Sequence, residues 1–173
     1  GGMIASTWLD RPLSVAGRLL VRTEAGVESR LVAPDRALLC IPNLCIHFDR
    51  EANAGKTWNY QVDLQPICGL EGGARLMDVL AAEAGVEAKD ILAHDLVLCT
   101  RQKAERVGVS GELFMSGRID DLECAYTTLQ GFLAGRGEEE GRADVWCMFD
   151  NEEVGSSSRQ GAQGTLMADV MAR

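Results

Sequence analysis

One stretch limits the fold of this chain more than any other: ADVWCMFDNEEVGSSS, residues 143–158. Its large apolar residues, Val145 to Phe149, read as a buried strand. They stop abruptly at Asp150, Asn151, Glu152 and Glu153, ahead of Gly155 and three serines. The elements around it have a matching grammar. ELFMSGRID (112–120) is a strand and turn. DLECAYTTLQGFLAGR (121–136) places Leu122, Ala125, Leu129, Phe132 and Leu133 on one helical stripe. GEEEGR (137–142) is a solvated connection, and GAQGTLMADVMAR (161–173) opens another helix. Strand, helix, strand, helix predicts an α/β layer with a parallel sheet.

The first half reads differently. GRLLVRT (17–23), SRLVAP (29–34), ALLCI (37–41), LCIHF (44–48) and YQVDLQPI (60–67) are short strand-like runs split by Gly, Pro and Asn. TEAGVE between the first two has the form of a hairpin connection. Pro42-Asn43 interrupts what would otherwise be one long strand. ARLMDVLAAEAGV (74–86) switches to a helical pattern that stops near Gly85, and DLVLC (95–99) returns to strand. TRQKAERVGVSGE (100–112) has the composition of a surface connection. The halves therefore predict two architectures, with the change near Leu113.

Charge narrows the function. The chain has 173 residues, with 17 basic against 26 acidic and a net charge of −9. Nucleic acid and anionic membrane both require a basic surface, so neither is an expected partner. No apolar run approaches the ~20 residues of a membrane span, and GGMIASTWLDRP lacks the layout of a signal peptide. Cys40, Cys45, Cys68, Cys99, Cys124 and Cys147 include no CxxC pair and sit mostly in apolar runs. They are read as packed, reduced thiols, and the protein as cytoplasmic.

Open parallel sheets bind ligands beyond the carboxyl ends of their strands. Two acid clusters fall at such ends: SGRIDDL, with Asp120 and Asp121, and FDNEEVG, with Asp150, Glu152 and Glu153. Carboxylate oxygens suit hard and borderline divalent metals, and hydrolysis at a metal also needs a base beside the water. Adjacent glutamates can divide that labour if the backbone turns there, which Gly155 and the serines allow. Two plainer readings stay open: Asp120 and Asp121 as helix caps, and the glutamates as solvated loop acids. A calcium loop counted from Asp150 fails, because its twelfth position is Gly161. There is no dinucleotide fingerprint, P-loop, GxSxG or HExxH. His47 and His94 are the only histidines, and neither is near the acids in sequence.

The acidic motifs, taken together, resemble a known family. SGRIDDL is similar to the S-x-R-[LI]-D-[ND]-L motif of the aspartyl aminopeptidase family, and FDNEEVGSSSRQGAQG to its D-N-E-E-V-G-S motif and continuation. GGMIASTWLDRPLSVAGRLLV, IPNLCIHFDRE, NYQVDLQPI and DILAHDLVL have counterparts in the same order, so the resemblance covers nearly the whole chain. It implies part of a parallel-sheet zinc-peptidase catalytic domain plus a β-rich insertion domain that builds dimers. On this reading residues 1–12 edge the catalytic domain, 13–111 form the insertion, and 112–173 are an incomplete catalytic portion. Asp120 would bridge two zinc ions (other divalent metals could substitute), Glu153 would ligate one, and Glu152 would be the general base. His47 would touch substrate in a partner subunit's site.

The implied activity removes N-terminal Asp or Glu from peptides, within a homo-oligomer whose full-length form is a dodecamer built from dimers. Alternatives are a dizinc aminopeptidase with another side-chain preference and a non-catalytic oligomerisation module. The family's remaining ligands lie upstream of Gly1 and downstream of Arg173. The chain is therefore expected to be an internal piece, inactive alone. Asp121 stands where the family more commonly has Asn.

Overall fold

Odd-numbered residues of β1, Leu13–Thr23, face inward: Leu13, Val15, Leu19 and Val21 are all buried, while Arg18, Leu20 and Arg22 are exposed. That alternation makes β1 the middle of a three-stranded antiparallel sheet. β2, Gly26–Val32, returns through a two-residue turn at Glu24-Ala25, and Thr23 pairs with Gly26 as the hairpin reading anticipates. On the other side lies β3, Ile91–Thr100, with Leu13 opposite Thr100 and a register shift at Leu20/Val21. The structure, a computed structural model, describes residues 3–135, 137, 141 and 143–173. The chain divides into two compact units. One is Ile4–Gln102, and the other is Lys103–Arg173 with the N-terminal residues.

In the first unit the sheet meets α2, Leu76–Ala84, which follows a single-turn helix α1, Tyr60–Asp63. Leu80 is fully buried and joins Leu9, Leu13, Leu19, Val21, Leu39 and Ile41 in one core. Burying each such side chain contributes about 1.5–3 kcal/mol. Helix α2 stops at Gly85, whose φ of 67° is left-handed, and Val86 N–H returns to the Ala81 carbonyl at 2.9 Å. Arg30 of β2 donates to the Ala84 carbonyl at 2.8 Å, satisfying a helix-end acceptor.

Several strand readings give way to local hydrogen bonding. LCIHF is a turn: Phe48 and Asp49 N–H donate to the Cys45 carbonyl, and the Asn43 side chain accepts from Leu44 N–H. Short side-chain and turn bonds there replace a ladder. YQVDLQPI begins as α1, because Asn59 accepts from Gln61 N–H while Asp63 accepts from Asn59 N–H. ALLCI makes only single bridges: Leu39 to Leu13, Ile41 to Leu9, and Cys40 to Ile67. The six cysteines are free, but Cys99 is half-buried and the other five are exposed, so the packed-thiol reading is corrected. The runs that carry most of them lie outside covered strands.

The second unit keeps the strand, helix, strand-like, helix order in part. β4, Glu105–Val107, pairs antiparallel with β5, Leu113–Met115, inside what reads as a charged connection. α3 spans Ile119–Ala134 and α4 Leu166–Met171. The run 143–149 enters no hydrogen-bonded sheet among the described residues, and only Trp146 and Phe149 are half-buried. A strand needs a neighbour, and the sheets that do form are antiparallel. The α3 stripe is likewise uncovered: Ala125, Leu129 and Phe132 are half-buried, and Leu122 and Leu133 are exposed. Most of the connection 137–142 lies outside the described residues. No helix among the described residues is long and apolar enough to cross a membrane.

Candidate active site

The first acid cluster lies where the chain turns from β5 into α3. Arg118 takes a left-handed conformation (φ 62°), and Asp120 is extended (φ −80°, ψ 116°) within an otherwise helical run. The peptide between Asp120 and Asp121 is cis. Among the described residues neither carboxylate accepts a hydrogen bond, so neither acts as a side-chain cap. Both side chains are exposed.

The second cluster is carried by a loop that folds back on itself. Gly155 N–H donates to the Glu152 carbonyl at 2.8 Å, closing a turn over both glutamates. Asn151 (φ 59°), Gly155 (φ 95°) and Ser156 (φ 59°) all take left-handed conformations around it. Adjacent side chains are therefore released from the opposite-face rule of a straight strand. Asp150 N–H reaches the Gln160 carbonyl at 3.1 Å, and Ser156 N–H the Asn151 carbonyl at 3.0 Å. Asn151 Nδ2 donates to Ser158 Oγ at 2.8 Å. Gly161 is buried against Ser156, where any Cβ would overlap the Ser156 carbonyl.

One cleft of about 630 Å³ joins the clusters. Asp121, Asp150 and Glu152 line it, together with Leu122, Met148 and Phe149. Trp146 Nε1 donates to Thr128 Oγ1 at 3.2 Å, tying the run 143–149 to α3 beside it. Asp120 and Glu153 are not among its lining residues, so the cleft gathers Glu152 with Asp121 and Asp150 instead. Three carboxylates without a lysine or arginine in the lining make this an acidic, cation-attracting surface. His47 lies in the other unit, exposed on its turn, and His94 is exposed in β3 opposite Leu19.

Carboxylates are the right donors for a divalent metal in kind but not in number. Among the described residues no group of three or more His, Cys, Asp or Glu could hold a metal ion. The described residues carry at most part of a donor set. Sequence reading did not find the Asn151–Ser158 contact or the Trp146–Thr128 contact. An asparagine followed by glycine and serines was the available signal for the first, since Asn tolerates left-handed geometry.

Comparison with known proteins gives this arrangement a family. The sequence profile described as Aminopeptidase I zinc metalloprotease (M18) matches residues 1–173. The protein named "Probable M18 family aminopeptidase 2" of Clostridium novyi is 40% identical over 180 residues, covering 100% of this chain and 41% of that protein. The cryo-EM structure of the Ape4 and Nbr1 complex is similar, with a TM-score of 0.79 and 33% identity, over 99% of this chain and 38% of that one. The S. cerevisiae mApe1 dodecamer is similar with a TM-score of 0.68 and 27% identity, over 99% of this chain and 40% of that one. The chain thus spans about 41% of the length of the curated relative. It belongs to the M18 family of zinc metalloproteases, the aminopeptidase I type.

Proposed function

We propose that these 173 residues are part of a longer metallo-aminopeptidase that removes N-terminal acidic residues, Asp or Glu, from peptides. The observation that carries this reading is the cleft that brings Glu152 and Asp121 together, within a chain whose full length matches a zinc-peptidase family. Asp120 and Glu153 would provide carboxylate ligands to zinc, two ions in a complete site, with the other ligands coming from outside Gly1–Arg173. The metal would supply Lewis acidity toward water. Glu152 holds the proton taken from water and passes it to the leaving amine. Residues 13–111 act as the insertion and dimerisation domain, flanked by catalytic-domain portions 1–12 and 112–173. His47, exposed on its turn, contacts substrate in a partner subunit's site. The assembly is a homo-oligomer, a reading supported by the dodecamer of the similar mApe1, and its place is the cytoplasm.

The test uses the full-length protein and the 173-residue chain side by side, on Asp-, Glu- and Leu-anilides with zinc analysis. The expected result is activity and bound zinc in the full-length protein only, with Asp and Glu preferred. Preference for Leu moves the reading to an aminopeptidase of other specificity. Zinc-dependent turnover by the 173-residue chain alone overturns the incomplete-site part of it. A second reading, an oligomerisation module without chemistry, draws on the self-sufficient core of Ile4–Gln102. Light scattering on the isolated chain tests that one, and a strict monomer rejects it.

A further inference from the structure

Glu152 and Glu153 sit on a loop, and loops hold catalytic geometry only when something locks them. The lock here is visible. Asn151 Nδ2 donates to Ser158 Oγ at 2.8 Å in a part-buried contact. The Asn151 carbonyl accepts from Ser156 N–H at 3.0 Å, and its own N–H donates to Asp150 Oδ1 at 2.7 Å. One residue thus binds Asp150 on one side of the glutamates and the serine run on the other. The far side is braced as well: Gln163 N–H donates to the Ser156 carbonyl at 3.1 Å, and Gln163 Nε2 to the Gly155 carbonyl at 3.3 Å. The carboxylates of Glu152 and Glu153 take no part and accept no hydrogen bond among the described residues. The hydrogen bonds that restrain the pair among the described residues therefore act through its backbone.

We propose that Asn151 and Ser158 form a clasp that positions the Glu152–Glu153 turn, so that Ser158, six residues beyond the presumed base, is a positioning residue for the reaction. The proposal rests on the functional reading above. It assigns Asn151 a donor role; Asp at 151 could only accept from the Ser158 hydroxyl, reversing the bond, and would add a further charge beside two glutamates. The left-handed backbone at 151 also favours Asn over most residues.

The test compares Ser158→Ala, Ser158→Thr, Asn151→Asp and Glu152→Gln in the full-length zinc-loaded protein. Ser158→Ala is the primary variant, since removing one hydroxyl leaves the left-handed position at 151 intact. It is expected to lower kcat at least tenfold with KM within twofold and zinc content unchanged. Ser158→Thr, which keeps the hydroxyl, restores kcat to within threefold. Independently of activity, hydrogen exchange at the Ser156 amide should quicken at least tenfold in Ser158→Ala, while the amides of β1 and β3 are unchanged. The clasp is overturned if Glu152→Gln is inactive but Ser158→Ala and Asn151→Asp keep wild-type kcat and Ser156 exchange. If Glu152→Gln itself is fully active, the functional reading fails, and the clasp's role fails with it.

Discussion

Gly17 in β1 lies directly against the backbone of β3: a Cβ at this position would overlap the Asp95 carbonyl and stand 2.9 Å from Leu96 Cα. With Gly17 opposite Leu96 in the ladder and φ at 156°, the two strands meet at a point where no side chain fits. The neighbouring pair, Arg18 and Asp95, makes a long, exposed ion pair at 3.9 Å that contributes little by itself. Close backbone approach, and not charge, sets this part of the sheet.

Gly17→Ala is therefore expected to destabilise the unit Ile4–Gln102 by about 2 kcal/mol or more, the scale of overpacking in a tight interior. Urea unfolding followed by circular dichroism measures it. A change within 0.5 kcal/mol would mean the strands separate there without cost.

Leu80 is fully buried at the contact between α2 and the sheet, whereas Leu31 of β2 is 83% exposed. Leu80→Ala should cost about 2–5 kcal/mol, and Leu31→Ala about 0.5 kcal/mol or less. Comparable losses at both sites would show that the outer sheet face is covered in solution, and sedimentation at two concentrations would then reveal the partner copy.

Lys89 Nζ lies 2.5 Å from Glu87. Its hydrogen bond, and secondarily its charge, hold the Glu87 carboxyl below the usual range. The same contact, with Asp90 adding to it, holds the Lys89 ammonium above its ordinary value. The sign follows from linkage. The glutamate's contribution is present above its unfolded pKa and lost as pH falls through its lowered folded value. The lysine's is present below its unfolded pKa and lost as pH rises through its raised one. Carbon-detected NMR titration should find Glu87 moving upward in Lys89→Gln, and an unmoved Glu87 contradicts the pairing.

The legible parts of the fold are those where side-chain period decides structure. The strand run GRLLVRT, the stop of α2 at Gly85 and the TEAGVE hairpin could all be read directly. Elements governed by a few polar contacts could not. Asn59 and Asp63 turn a strand-like run into α1, and the turn at Cys45 does the same to LCIHF. β4 was hidden because its residues, Glu105 to Val107, carry charge on a two-stranded ribbon. The run 143–149 has the composition of a strand, but composition does not supply the neighbour that makes one. In the site, the acids stood out as a motif, whereas Asn151–Ser158 depends on how the loop folds back and left only a faint trace in sequence.

On the proposed function, Glu152 handles the proton in a metal-dependent hydrolysis. Its most direct test is kcat of Glu152→Gln in the full-length protein, with zinc content measured on the same sample. Zinc is expected to be retained while kcat falls by at least about 100-fold, the usual scale for losing a general base. Wild-type turnover in a zinc-replete Glu152→Gln variant would contradict it.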